Sequence, residues 1–255
     1  MKDGKKKKGA GYWAAYLALP AALILFWTIA EPMGWIKSYT FPSIGTLLAL
    51  VVEYAKDGTL WGHFSISLIR VLQGFFLALA AAFVIGMASA LFPLVETATD
   101  LVIQILRPIP PIAWIPLAIL WFGIGESSKV FIIFLGAFFP IFINILDGVK
   151  SIDPRYHELS EVYEVTKWEQ IRHVILPGAL PSIMTGIRVG VGNAWVCVVA
   201  AEMIGATKGV GYMLSNGRSL SRPDMVVLGM LIVGIVGKIM DDLLRLIRAK
   251  VITWQ

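Results

Sequence analysis

Residues 71–95 read VLQGFFLALAAAFVIGMASALFPLV, without one charged side chain. A helix rises 1.5 Å per residue, so about 20 apolar residues cross the hydrocarbon core of a bilayer. This run is long enough. A helix apolar on every side is either buried in a large core or spans a membrane, and composition decides between the two. Of 255 residues, 57% are hydrophobic and 15% charged, against roughly 25% charged in an ordinary soluble domain. Mean hydropathy is +0.76. So few polar groups cannot cover so much apolar surface in water. The soluble, disordered, collagen-like and disulfide-rich classes are excluded, and an all-α polytopic membrane protein remains.

Five further runs extend the pattern outward. Tyr12–Ala30, Pro108–Gly125 and Val130–Leu146 are free of charge. Ile183–Ile204 is interrupted by Arg188 and Glu202, and Met225–Ile247 by Lys238, Asp241, Asp242 and Arg245 near its end. Six transmembrane helices are expected. The first follows a cluster of lysines, as a secretory signal would, but Glu31-Pro-Met-Gly is no small-residue cleavage site, so it reads as a retained span. The expected division is a basic N-terminus over 1–11, a first helix over 12–30, and an extracytoplasmic segment over 31–64. A core of five helices over 65–247 and a tail over 248–255 follow. Within the extracytoplasmic segment, residues 43–57 read as an amphipathic surface helix with Leu47, Leu48, Val51, Val52 and Tyr54 on its apolar side.

An even number of spans puts both termini on one side, with the loops 93–100 and 147–178. That side holds twelve Lys and Arg, five of them before residue 9, against six on the other. The excess places both termini in the cytoplasm. The same distribution explains the net charge of +5 without a nucleic-acid partner. Cys197, the one cysteine, lies in an apolar run and forms no internal disulfide.

The cytoplasmic loop 147–178 reads as two short helices. Asp153-Pro154 offers an N-cap followed by a proline at the first helical position. Leu159, Val162, Tyr163 and Thr166 recur at helical spacing, beside Glu158, Glu161 and Glu164. Thr166-Lys-Trp-Glu169 fits a capping box and starts a second helix. Trp168, Ile171, Val174 and Ile175 give it an apolar face, and Leu176-Pro177 is expected to end it. Such a stripe must be covered by the protein's own helices, by lipid or by a partner. An acidic first helix argues against the lipid surface.

The stretch from Glu158 to Pro177 resembles the "EAA" loop of binding-protein-dependent ABC importer permeases. Glu158 matches the family's glutamate, and Leu176-Pro177 with Pro181 its end. Leu159 and Ser160 stand where the family has alanines. Glu164 stands where it has a helix-ending glycine, a position that often needs positive φ. Either the turn is built differently or the first helix runs on to Thr166. Leu106-Arg-Pro-Ile-Pro-Pro-Ile-Ala-Trp-Ile-Pro through Gly125-Glu126, Thr40-Phe-Pro-Ser43 and Ala200-Ala-Glu-Met-Ile-Gly205 are similar to the nitrate, sulfonate, taurine and bicarbonate branch.

The resemblance implies a type I importer permease working with a second copy of itself, two cytoplasmic ATP-binding subunits and an extracytoplasmic substrate-binding protein. It implies coupling through Glu158, Ser160, Glu161, Tyr163, Glu164, Thr166 and Trp168. Glu158 and Glu161 would meet basic groups, and Tyr163 and Trp168 would fill a groove. It also implies a non-catalytic subunit that binds no cofactor, with ATP and Mg on the partners. No G-x-x-x-x-G-K-[ST] phosphate loop occurs in the chain. Energy must therefore come from a partner or, in the alternative reading, from an ion gradient driving a secondary transporter or channel. Gradient-driven proteins usually carry acids or histidines deep in the membrane, and here Glu202, Asp241 and Asp242 lie near span ends.

Arg107, Arg188 and Lys238 break otherwise apolar runs, each at a similar expected depth. Arg107 and Arg188 fall roughly 10 Å from the cytoplasmic start of their spans. They either snorkel to the interface or line an inner vestibule for an anion. Pro108, Pro110, Pro111 and Pro116 predict a kinked or partly unwound third span. Irregular backbone survives at membrane depth only inside protein or beside a water-filled cavity, which makes this span, with Trp114 and Trp121, a candidate for the pathway. Gly186, Gly190 and Gly192, followed by Asn193, suggest a close helix approach at a permease–permease interface near the pathway. Gly205-Ala-Thr-Lys-Gly-Val-Gly211 reads as a flexible outer loop.

Overall fold

A computed structural model of the chain describes residues 10–30, 33–35 and 41–253, and every regular element among them is helical. The basic stretch 1–9, on which much of the orientation rests, lies outside the described residues, as do 254 and 255. The elements are α1 (Ala10–Ala30), α2 (Ile44–Lys56), α3 (Thr59–Leu91), α4 (Pro93–Leu106), α5 (Ile115–Phe122), α6 (Glu126–Lys150), α7 (Pro154–Val162), α8 (Lys167–Gln170), α9 (Leu176–Gly205), α10 (Val210–Ser219) and α11 (Pro223–Val251). A 3₁₀ turn, Pro111–Trp114, precedes α5, and a π turn, Ile171–Ile175, joins α8 to α9. Among the described residues, four helices are long and apolar enough to cross a membrane: α3, α6, the continuous Lys167–Gly205 and α11. A bent pair, Pro93–Leu106 with Pro111–Phe122, would make a fifth if counted as one span, and Ala15–Ala30 is a shorter apolar helix.

The molecule is organised around α6, which packs between α3 and α9. Ile132, Ile133, Ile141, Phe142 and Ile145 on α6 are fully buried. Helix directions follow from which residues meet. Gly74 and Gly86 of α3 lie against Ile133 and Ile145 of α6, so these two helices run parallel. Gly136, Ile141 and Asn144 of α6 meet Cys197, Gly190 and Gly186 of α9, which is therefore antiparallel to α6. Trp195 Nε1 donates to the Val233 carbonyl at 2.9 Å and Arg188 pairs with Asp241, so α11 is antiparallel to α9 in turn. Between the parallel α3 and α6, the chain must return across the molecule. The α4–α5 segment makes that return with an 88° bend.

Several expectations are corrected here. The run 108–125, expected to be kinked or partly unwound, does not form a span by itself: it is the second limb of that bent pair, and Pro108, Pro110, Pro111 and Pro116 remove helix donors in close succession. The expected loop 93–100 is the start of α4, with Pro93 at its first position. Leu176-Pro177 does not end the second loop helix: the chain stays helical from Lys167 to Gly205. Pro177 has no N–H and would crowd the carbonyl four residues back in a regular α-helix. The π turn just before it widens the backbone there.

Two glycines of the small-residue stripe of α9, Gly186 and Gly190, pack within the chain, while Gly192 faces open space. A Cβ on Gly190 would lie 2.8 Å from the Ile141 side chain, and one on Gly186 2.6 Å from Asn144. Helix α2, capped by Ser43 accepting from Thr46 N–H at 3.0 Å, does not simply lie on the surface. It buries Leu47 and Leu50 against Met213, Met225 and Leu228 and leaves Leu48 and Val52 exposed.

Candidate functional site

The α7–α8 hairpin projects from the end of the bundle where α6 finishes and α9 begins. Its ends form as the sequence dictates. Asp153 accepts from Arg155 N–H at 3.0 Å ahead of Pro154. Thr166 and Glu169 cap each other's backbone reciprocally. Between them, α7 ends at Val162, so it does not run on to Thr166. Glu164 itself adopts the left-handed conformation, with φ 51°. The Glu164 N–H donates to the Glu161 carbonyl at 3.0 Å and the Val165 N–H to the Ser160 carbonyl at 2.9 Å. This is a Schellman cap whose position of positive φ holds glutamate where glycine is easiest.

The hairpin leaves its apolar side chains uncovered. Tyr163 is 77% exposed and Trp168 68%, with Tyr156, Leu159 and Val162 also exposed beside Glu158, Glu161 and Glu164. Isolated soluble surfaces rarely gather such side chains, and a patch of this kind marks an interaction site. Two expected contact residues differ. Ser160 is buried and donates to the Tyr156 carbonyl at 2.8 Å, so it supports α7 from within. The Thr166 hydroxyl is engaged in its cap. Below Trp168, Ile171 and Val174 are half-buried and Ile175 fully so, which anchors the second half of the hairpin on the bundle.

A second feature lies within the bundle. Arg107 from the α4–α5 bend, Asn144 from α6 and Asn193 from α9 line one cleft of about 340 Å³. Arg107 and Asn193 are thus brought together as pathway candidates, and Asn144 joins them. A polar residue inside the charge-free run 130–146 was the available signal for it. Trp114 and Trp121 face each other at 6.4 Å, with Trp121 also 6.1 Å from Phe131 of α6; neither lines this cleft. Arg188 does not line it either. Its guanidinium pairs with Asp241, which Arg245 also contacts at 3.0 Å, while Lys238 pairs with Asp242.

At the opposite end from the hairpin, a buried polar cluster ties four segments. Arg70 of α3 is 3% exposed and donates to Glu202 of α9 at 2.8 Å, to Glu126 of α6 at 2.5 and 2.6 Å, and to the Lys208 carbonyl at 2.7 Å. Glu202 also accepts from Ser67 and from the Gly211 N–H, and Ser67 accepts from the Val210 N–H. His63 accepts from the Gly209 N–H at 3.0 Å. The segment 205–211 is therefore pinned rather than free. Its glycines fit the approach, since Gly209 has φ 128° and a Cβ there would fall 2.3 Å from the Glu202 carboxylate. Arg70 and Glu202 sit at the ends of separate apolar runs, and nothing in the sequence pairs them.

Comparison with known proteins gives a consistent picture. Residues 74–253 match the family described as binding-protein-dependent transport system inner membrane component. The chain is 38% identical to the putative aliphatic sulfonates transport permease protein SsuC of Bacillus subtilis, covering all of this chain and 91% of that one. It is 34% identical to the taurine transport system permease protein TauC of Escherichia coli, over 92% and 87% of the two chains. It is 31% identical to the nitrate import permease protein NrtB of Leptolyngbya laminosa, over 78% and 72%. Among solved structures, an inward-facing form of the MetNI methionine ABC transporter superposes with a TM-score of 0.53 at 20% identity, covering 69% of this chain and 92% of that one.

Proposed function

The chain belongs to the binding-protein-dependent transport system inner membrane components, and from that premise we propose that it forms the translocation pathway of an ATP-driven importer for a small oxyanion or organosulfonate. In this reading α1 supplies a sixth span and both termini are cytoplasmic. A second copy of the chain completes the pathway. Two ATP-binding subunits dock on the α7–α8 hairpins, and an extracytoplasmic binding protein delivers the substrate. Nitrate, bicarbonate, taurine and alkanesulfonates are the candidate cargoes. Hydrolysis of ATP with Mg belongs to the partners, and the chain itself is the moving wall.

The observation that carries the reading is mechanical. The exposed side chains of the hairpin sit at the root of one helical rod, unbroken from Lys167 to Gly205. A partner gripping Tyr163 and Trp168 would move a membrane span directly, without a flexible linker to absorb the displacement. The rod packs along most of its length on α6, so the displacement would reach the core.

The test is capture from native membranes. The detergent-solubilised chain is pulled down and its companions identified by mass spectrometry, beside a Glu158→Lys/Tyr163→Asp variant. Both positions are exposed, so the variant is expected to fold. An ATP-binding subunit should accompany the native chain and be lost with the variant. A folded native chain that brings down no such subunit would overturn the proposal in favour of a gradient-driven transporter.

A further inference from the structure

Cations in the membrane-spanning part are almost all neutralised. Arg70 has Glu126 and Glu202, Lys129 has Glu126, Arg188 has Asp241 and Lys238 has Asp242. Arg107 differs. No carboxylate lies within ion-pair distance of it among the described residues, and it is exposed at the bend where α4 gives way to Pro108, Pro110 and Pro111. An unpaired cation and interrupted backbone at membrane depth both require water or buried polar partners. The cleft supplies the first.

Its other polar groups point to one class of occupant. Asn144 donates one amide hydrogen to the Pro140 carbonyl at 2.8 Å and retains the second. Asn193 is exposed to the cleft and has no side-chain hydrogen bond among the described residues. Among the described residues no carboxylate lines the cleft, and Arg107 is the one charged group there. The apolar residues Phe139, Ile143 and Val189 also line it. A fork of guanidinium donors beside two amides suits the oxygens of a singly charged oxyanion, and the apolar wall suits a short alkyl tail. About 340 Å³ admits such an ion with some of its water.

We propose that Arg107, Asn144 and Asn193 form a transient oxyanion subsite in the translocation path, with Arg107 as the group that selects for negative charge. This deepens the permease reading above and rests on it. The guanidinium attracts the anion and presents N–H donors to two of its oxygens, while Asn193 and Asn144 donate to the remainder. Water competes in so open a cleft, so the ion is held weakly and released, as conduction requires.

The experiment places a reporter thiol in the cleft without touching the three polar residues. Val189→Cys is close to isosteric and exposed there. The full chain in nanodiscs is treated with sulfonatoethyl and trimethylammonioethyl methanethiosulfonates, and the buried Cys197 of the parent chain serves as the blank. The anionic reagent should be favoured about tenfold relative to a free thiol, as expected for one nearby unpaired charge. Arg107→Gln should abolish the preference, Arg107→Lys should keep most of it, and millimolar methanesulfonate should slow the reaction where choline chloride does not. Asn193→Ala should weaken that protection. A preference unchanged in Arg107→Gln, or a thiol inert to both reagents, would overturn the assignment. The two proposals fail separately, since capture of an ATP-binding subunit does not depend on the thiol chemistry.

Discussion

Glu164 shows how one position can carry a backbone requirement that its side chain does not favour. With φ 51° it closes the Schellman cap of α7, in a conformation that costs a side-chain-bearing residue about 1 kcal/mol relative to glycine. Glu164→Gly should therefore raise hydrogen-exchange protection of the Glu164 and Val165 amides about fivefold, corresponding to ~1 kcal/mol of local stability. An unchanged rate would mean that the flexible glycine loses in chain entropy what it gains in strain. The αL requirement was visible in the sequence only as a departure from the family pattern, and which of two turn geometries followed was decided by the carbonyls of Ser160 and Glu161.

Arg70 and Glu202 make a sharper case at the same scale. Glu202 is 1% exposed, whereas the Glu126 side chain is 58% exposed, although both accept from Arg70. Removing the buried partner leaves an under-compensated buried cation, which typically destabilises by about 3–5 kcal/mol. Glu202→Ala should lower the unfolding temperature of the solubilised chain well below that of Glu126→Ala, and equal effects would show that solvent reaches Arg70 easily. Glu202→Gln, which keeps an acceptor for Ser67 and Gly211, should fall between them.

Among the elements, α6 and α9 approach closely enough for packing to hinge on single methyl groups. A Cβ on Gly136 would lie 2.4 Å from Cys197 Sγ but 3.3 Å from its Cβ. Gly136→Ala alone should destabilise by about 1–3 kcal/mol through overpacking. Combined with Cys197→Ala, which removes the sulfur, much of that loss should return. A thermal-unfolding cycle of the four chains checks this, and additive effects would place the strain elsewhere. Periodicity marked both runs as apolar, yet the glycines of α9 suggested a contact between copies. Gly186 and Gly190 instead receive Asn144 and Ile141 of α6 in the same chain, and Gly192 faces open space. Small residues announce a close approach, not the identity of the helix that approaches.

The same limit applies to helix ends. Capping residues read correctly at Asp153 and Thr166, because those bonds are local. Pro177 read as a stop and is not one. Its effect depends on the turn before it, and the π turn at Ile171–Ile175 lets the helix continue. In the opposite sense, the prolines at 108–116 interrupt a run whose hydropathy alone looked continuous.

For the whole molecule, the consequence is a rigid connection from the hairpin to the far end of the bundle, where Glu202 locks α9 to α3 and to the 208–211 segment. One residue inserted after Pro177 would rotate the rest of α9 by about 100° relative to the hairpin. Capture of an ATP-binding subunit should survive that change while substrate uptake by the reconstituted complex is lost. Uptake that persisted would show that motion enters the bundle through another element, such as α4 or α6.

The membrane class, the existence of the long apolar helices, the two-helix loop 147–178 and its caps were all determined by the sequence itself, since each depends on composition, local spacing or a neighbour within four residues. Family likeness was legible for the same reason, being written in contiguous motifs. The tertiary structure alone decided that Arg70 meets Glu202, that Arg188 is neutralised by Asp241, that Gly186 and Gly190 of α9 receive α6, and that Arg107 shares a cleft with Asn144 and Asn193. These pairings join residues 37 to 132 positions apart in the chain. Which of many equally apolar faces meet is set by the shape of whole helices and the bend between α4 and α5, and no local rule carries that information.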